Sequence, residues 1–327
     1  MNMKTSGTEH DQAAADAYPE ADVASLQLVW GQGFLSPGGS EAVTRILDGI
    51  DIAGREVLDL GCGIGGPSIE LAKTFNARRV LGVDVNQGNL NRARQAVAAA
   101  SLDDRITFRL VEPGPLPLDD MSVDVVFSKD ALVEVQDKDL LLAEIIRVLR
   151  PGGWLVASDW LRADGPVSPA LQRWVDFSAS GDSPHSFHLA SLGEVADTLR
   201  NLGFINVEVR NQNTWYRDEA RRELALKTGR FWPQIVALRG EGDAKQSVQF
   251  HQAMIEVLDS GDFCPSNFRA QRPGVAATEN PRVGDSIPPL ATRFFCDLRA
   301  AEFATCSPGD SWLFTIVTGL VSCCAID

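Results

Sequence analysis

From residue 40 to about residue 161, short apolar runs alternate with longer segments whose apolar positions recur every three or four residues. The short runs are EVLDL (56–60), RVLGVDV (79–85), ITFRLV (106–111), VDVVFSK (123–129) and WLVASDW (154–160), and they read as buried strands. The longer segments read as helices: EAVTRILDGI (41–50), a stretch opening on Pro67, QGNLNRARQAVAAA (87–100) and DKDLLLAEIIRVLR (137–150). Ser40 is placed to cap the first helix, Pro67 suits the first turn of the second, and a Pro151-Gly152-Gly153 turn ends the fourth. Such alternation predicts an α/β fold with a parallel sheet covered on both faces. Right-handed crossovers then bring the glycine loop at 61–66 and the ends of the neighbouring strands to one rim, where such sheets bind ligands.

Beyond residue 161 the alternation loosens. SPALQRWVDFSAS (168–180) and SLGEVADTLRNLGF (191–204) have helical spacing, INVEVRNQ (205–212) reads as a strand, a long helical stretch covers about 215–260, and FCPSNFRAQRP (263–273) reads as a last strand. The texture changes again at Gly274: the last 54 residues hold four of the six cysteines. Their closing run, SWLFTIVTGLVSCCAID, is too short to span a bilayer. It ends in a C-a-a-X form whose last residue, Asp327, is not one that prenylation uses.

Composition narrows the classes of function. With 44% hydrophobic and 23% charged residues, the 327-residue chain has the makings of a globular core. Its formal charge of −14 repels phosphate backbones, so no nucleic-acid partner is expected. The polar, acidic N-terminus has no apolar core of a signal peptide, and no window of 18 apolar residues occurs, so no membrane partner is expected either. Six cysteines without a C-x-x-C pair then read as reduced thiols of a cytoplasmic protein, monomeric or a weak homo-oligomer.

The stretch VLDLGCGIGGPSIELAK (57–73) carries the chemistry. Gly61, Gly63 and Gly66 satisfy the G-x-G-x-x-G dinucleotide pattern. Two carboxylates qualify it. Asp59 stands two residues ahead of the first glycine, where the dinucleotide pattern has no acid and where a carboxylate can meet a ligand's ammonium group. Asp84 ends the second strand, where a carboxylate can accept hydrogen bonds from the ribose hydroxyls of a dinucleotide or of another adenosine-carrying ligand.

Taken with LGVDVN (81–86) and LRPGGWLVASD (149–159), LDLGCGIGG (58–66) resembles the S-adenosylmethionine-dependent methyltransferases of the class I, seven-stranded, Rossmann-like fold. WGQGFLSPGGSEAVTRIL (30–47) and SKDALVEVQDKDLLLAEIIRVLRPGG (128–153) carry the resemblance on to the phosphoethanolamine N-methyltransferase group, in outline over about 18–273. The likeness implies an N-terminal lid segment at 1–39, a methyltransferase domain at 40–273 with a helical insert, and an extension of unknown role at 274–327. It implies S-adenosyl-L-methionine as cofactor. Asp59, Gly61 and Gly63 would face its methionine part, Asp84, Val85 and Asn89 its ribose and adenine, and Glu112 the adenine amine. Leu35 and Ser36 would touch it from a closing loop, and Ser128 and Lys129 would edge it. Asp130 would meet the acceptor amine, and Tyr18 matches the group's lid tyrosine.

The departures concern the acceptor. Glu134 stands where the group has the histidine that partners its tyrosine, Trp160 stands where it has a tyrosine, and SPHSFHLAS (183–191) offers His185, Phe187 and His188 where it has phosphate-binding residues. A small amine other than phosphoethanolamine, zwitterionic in character, suits Asp130 and Glu134 better. Methyl transfer from a sulfonium is an in-line displacement that asks for alignment, desolvation and a deprotonated nucleophile. The expected catalytic residues are therefore Tyr18, Asp130 and Glu134. Trp30, Phe34 and Trp160 are candidates to face a cationic product, and Trp30, Trp160 and His185 are the expected substrate contacts. The chemistry needs no metal, and His185 with His188 lacks a third ligand. O- or C-methylation of a small metabolite, and a non-catalytic cofactor-binding module, are the alternatives.

Overall fold

The computed structural model describes residues 18–178 and 186–274. Seven strands form one sheet in the order β3-β2-β1-β4-β5-β7-β6. They are β1 (Glu56–Leu60), β2 (Arg79–Asp84), β3 (Ile106–Leu110), β4 (Val123–Lys129), β5 (Leu149–Arg162), β6 (Ile205–Asn211) and β7 (Phe263–Gln271). The helices are α1 (Glu20–Trp30), α2 (Gly39–Ile46), α3 (Gly66–Lys73), α4 (Gln87–Ala99), α5 (Lys138–Val148), α6 (Pro169–Ser178), α7 (Leu192–Asn201), α8 (Asn213–Thr228) and α9 (Trp232–Asp259).

Successive strand residues feed opposite cores, as the two-residue period requires. Val57, Val125, Phe127 and Val156 point to one face, where they meet Val43 and Ile46 of α2, Leu71 of α3 and Val97 of α4. Leu58, Val126, Leu155 and Ala157 point to the other, against Leu142, Ile145 and Val148 of α5 and Val195 and Leu199 of α7. Burial on both faces explains why the strands are nearly continuous in apolar residues.

β1 to β5 pair in parallel, but β7 is antiparallel to both β5 and β6. The reason lies in the connection. β6 ends at the rim, α8 and α9 follow, and β7 re-enters the sheet from that same end, with Asn211 beside Ser266. The insert is thereby set beside the rim. Its helices share an aromatic core with β5 and α6, built on Trp160, Trp174, Tyr216, Met254 and Phe263. α1 packs against α9 through Val29, Ile235 and Ala244, and Arg239 pairs with Asp22 at 2.8 Å.

Two local expectations change. Ser40 does not cap α2: the N-cap is Gly38, at φ 84°, and Ser40 sits inside the helix and donates to Glu70. The chain takes a left-handed conformation at 38, which glycine alone adopts cheaply, and a Cβ there would lie 2.5 Å from the Trp215 ring. Pro151-Gly152-Gly153 is a bulge inside β5 rather than a free turn, since Leu149 already pairs with Val123 before the register shifts to Trp154 and Val125. Pro67 does lie in the first turn of α3.

Candidate active site

The rim is organised around the glycine loop between β1 and α3. Gly61 has φ 73°, and a Cβ on it would fall 2.3 Å from that of Ala131, so the loop lies against the segment after β4. Asp84, at the end of β2, accepts from the Gly63 amide at 2.8 Å and from the Asn86 amide at 2.8 Å. Asn89 bonds the same carboxylate, and its amide donates to the Asn86 side chain that caps α4. Burial raises the Asp84 carboxyl above its usual range, and these amide bonds oppose the shift.

Asp59 is fully buried. One of its oxygens accepts from Ser68 in α3 at 2.5 Å, and the other, Oδ1, has no hydrogen-bond partner among the described residues. Burial pushes its carboxyl up to about 7, the Ser68 bond lowers it, and the Asp84 charge adds to the rise. A buried acceptor without a donor is costly, and Asp59 Oδ1 could take one from a bound ligand. Beside Asp84, Val85 is 54% exposed and Leu110 45% exposed, which leaves an uncovered apolar surface next to the carboxylate. Glu112 is exposed on the loop beyond.

The loop at 31–38 lies over this one. The Gly66 amide donates to the Gly33 carbonyl at 3.0 Å, and the approach is so close that a Cβ on Gly66 would sit 2.3 Å from that oxygen. The Leu35 side chain lies above Gly63, 3.4 Å from where a Cβ there would be. Lys129, at the end of β4, donates to Ser36 Oγ at 2.5 Å, to the Pro37 carbonyl at 2.9 Å and to Asp130 Oδ2 at 2.9 Å. Asp130 accepts from Ser158 on its other oxygen at 2.7 Å, so both its oxygens are held by neighbours. Ser128 is buried and donates to the Leu60 carbonyl, which ties β4 to β1.

The structure therefore separates the two acids that share a stretch of sequence. Asp130 joins Lys129, Ser36 and Ser158, whereas Glu134 meets Tyr18. The Tyr18 hydroxyl donates to Glu134 at 3.3 Å, and Glu134 and Asp84 both act on the phenol electrostatically. Burial first, then the Glu134 charge, raises the Tyr18 phenol well above its ordinary value, so it stays protonated. The short turn Leu132–Glu134 is itself pinned: Asp159 accepts from the Val133 amide at 2.8 Å, and Lys138 donates to the carbonyls of Leu132 and Val135.

The aromatic candidates divide. Trp160 offers no open face: its ring lies within 5.1–5.7 Å of Trp174, Phe187 and Phe263, and its indole N–H donates to Tyr216. It is packed inward because α6, β7 and the segment before α7 each bring a ring onto that end of β5, and the insert adds Tyr216. Phe34 is likewise buried, against α2 and Phe127. Trp30 is half-buried and donates to Glu223 at 2.9 Å. His185 lies outside the described residues, while the His188 amide bonds the Val133 carbonyl. Among the described residues no three His, Cys, Asp or Glu side chains are grouped to hold a metal ion.

Comparison with known proteins places this arrangement. Residues 58–157 match a family model described as a methyltransferase domain. The strand order, with β7 antiparallel between β5 and β6, is that of the class I fold. The match covers β1 to β5 of the sheet, and the seven strands together have the class I methyltransferase fold. A phosphoethanolamine N-methyltransferase of Triticum aestivum is 27% identical over 209 residues, 64% of this chain and 39% of that protein. A 27-O-demethylrifamycin SV methyltransferase of Amycolatopsis mediterranei is 36% identical over 132 residues, 39% of this chain and 48% of that protein. The Haemonchus contortus phosphoethanolamine N-methyltransferase 2, solved with phosphomonomethylethanolamine and S-adenosylhomocysteine, superposes at a TM-score of 0.70 and 24% identity, over 78% of this chain and 58% of that one. The chain thus spans less than half the length of the curated relatives it matches.

Four residues around the site were not evident from the sequence. Tyr216 and Glu223 come from the insert, and Asp159 and Lys138 act on the turn that carries Glu134. Asp159 stood in the strand WLVASDW as an acid among apolar residues, a visible signal. Glu223 lies in a polar helix, where nothing local distinguishes it from the exposed acids beside it.

Proposed function

We propose that this chain transfers a methyl group from S-adenosylmethionine to a small-molecule amine. The observation that carries the reading is the pair of carboxylates flanking the glycine loop: Asp59, with an unpartnered buried oxygen, and Asp84, with its amide-bound carboxylate beside the exposed Val85. The residues fit that cofactor. Asp59 Oδ1 would take the ammonium of its amino-acid end, Asp84 the ribose hydroxyls, and Val85 and Leu110 a face of the base. The bound cofactor supplies a methyl group already activated by the sulfonium charge.

The chain's own groups do the remaining work. Leu35 and the Gly33–Gly66 contact close the loop over the site and keep water out. Glu134 takes the proton that an acceptor nitrogen must lose, while Tyr18, protonated, donates to it and holds its orientation. Asp130, neutralised by Lys129, positions the loop end at Ser36 and Pro37 and presents a balanced pair rather than a bare charge to an acceptor.

An oxygen acceptor is the second reading, favoured by the 36% identity to a relative whose name describes a demethylated oxygen. The test is incubation with methyl-labelled S-adenosylmethionine and a panel of small amines, phosphoethanolamine included, and hydroxylated metabolites, with products analysed by mass spectrometry. Methylated nitrogen is expected. A methylated oxygen would replace the first reading with the second, and tight binding without transfer to any acceptor would leave only a cofactor-binding module.

A further inference from the structure

Glu223 is fully buried in α8, and one carboxylate there closes both ends of a loop that lies almost two hundred residues away in sequence. Oε2 accepts from the Trp30 indole at 2.9 Å, at the last residue of α1. Oε1 accepts from the Gly38 amide at 3.1 Å, at the N-cap of α2. Between those two points the chain makes the contacts that reach the rim: Gly33 to Gly66, Leu35 over Gly63, and Ser36 and Pro37 to Lys129.

We propose that Glu223 is a positioning residue that latches the loop 31–38 closed over the cofactor loop 61–66, and so sets cofactor affinity and residence from within the insert. The inference rests on the reading that loop 61–66 holds S-adenosylmethionine. Two donors approaching a buried point from different directions need an acceptor with two oxygens, and a hydrocarbon of equal size would strand both N–H groups. The acceptor is an uncomfortable one: burial pushes the Glu223 carboxyl up to about 8, against the opposing Trp30 bond. Glu219 of the same helix raises it further, and Lys227, one turn on, feels its charge. A costly polar group kept inside a helical layer, at the hinge points of a closing loop, is the kind of local inconsistency that functional sites retain. The rest of α1 is held independently by its packing on α9 and the Asp22–Arg239 pair, so loss of the latch frees the loop without freeing the helix.

The test reads the loop and the ligand separately, on the full chain. Hydrogen exchange by mass spectrometry follows peptides covering 31–38, β1 and β4, and calorimetric titration with S-adenosylhomocysteine gives affinity. Glu223→Ala should speed exchange of 31–38 about tenfold or more with β1 and β4 unchanged, and weaken binding by about tenfold, from two lost hydrogen bonds. Glu223→Gln, which keeps one good acceptor, should fall between Ala and wild type in both. Trp30→Phe removes one donor and leaves the carboxylate in place, and should speed loop exchange about two- to fivefold. Wild-type exchange in 31–38 for Glu223→Ala overturns the latch. If that variant loses protection throughout the sheet, Trp30→Phe decides: unchanged loop exchange overturns the proposal. A wild-type chain that binds no S-adenosylhomocysteine overturns the cofactor reading instead, while the exchange results still decide the latch.

Discussion

At the ends of β1 and β2 the polar contacts of the site are short in sequence. Ser68 reaches Asp59 across 9 residues, and Gly63 reaches Asp84 across 21. Over the end of β4 they are long: Lys129 reaches Ser36 across 93 residues, and Trp30 reaches Glu223 across 193. The first half is one βαβ unit, whose strand ends and glycine turn are placed by the same local rules in any sheet of this kind. The second half is an assembly of three separate segments, an N-terminal loop, a strand end and an inserted helix, held by buried polar pairs. Local wiring sets the groups at the ends of β1 and β2; the distant wiring holds the loop at 31–38 against them.

Breaking one half at a time should expose the difference. The largest effect is expected from Lys129→Met, which strands the buried Asp130 charge; losing one partner of a buried pair costs about 3–5 kcal/mol, read by denaturant unfolding. A change below about 1 kcal/mol would mean that Ser158 and solvent suffice for Asp130. In the local half, Asp84→Ala should weaken S-adenosylhomocysteine binding by on the order of 2–4 kcal/mol while leaving the lid in place. An unchanged dissociation constant would remove Asp84 from the cofactor site.

A smaller effect separates the halves by pH. Asp59 is neutral in the ligand-free protein below about pH 7, and pairing it with an ammonium group requires its proton to leave. Affinity for S-adenosylhomocysteine should therefore rise as pH climbs, by up to about tenfold per unit, and level off above about 7, with a proton released on binding. The ligand-free fold responds in the opposite sense: its raised carboxyl contributes stability that is complete below the ordinary value of 3.8 and is lost as pH rises to about 7. Asp59→Asn should flatten both slopes, and calorimetry in buffers of different ionisation heat measures the proton; a slope that survives in the Asn variant would assign it elsewhere. The smallest effect is expected from Trp160→Phe, which loses one buried hydrogen bond to Tyr216 and should cost about 1 kcal/mol of stability. Cofactor affinity should stay within about twofold, because the ring belongs to the aromatic core rather than to the site. A large loss of turnover at unchanged stability would return Trp160 to the acceptor side.

The strands and most helices were legible because a two-residue or three-to-four-residue period directly reports which face is buried. β4 at 123–129 and the helix starting after Asp137 are cases in which pattern and cap agree with the structure. Asp59, Asp84 and the glycines were legible for a related reason: their positions are set by where a strand ends and a helix begins. The reading of Trp160 and Phe34 as open aromatic faces failed because an aromatic residue looks the same in sequence whether distant elements cover it or not: Trp174, Phe187 and Phe263 cover Trp160, and α2 and Phe127 cover Phe34. The placement of Ser40 as a cap failed because the close approach of Gly38 to Trp215 outweighs a local capping preference.

The sequence by itself determined the sheet, its rim and the two carboxylates beside the glycine loop, since periodicity and turn chemistry act over a few residues and need no distant partner. Only the tertiary structure decided that Lys129 reaches Ser36, that Glu134 meets Tyr18, and that Glu223 joins the two ends of the loop at 31–38. Those choices belong to charges and donors that meet across 93, 116 and 193 residues, and the partner of a buried charge is written in where the chain returns to rather than in its neighbours.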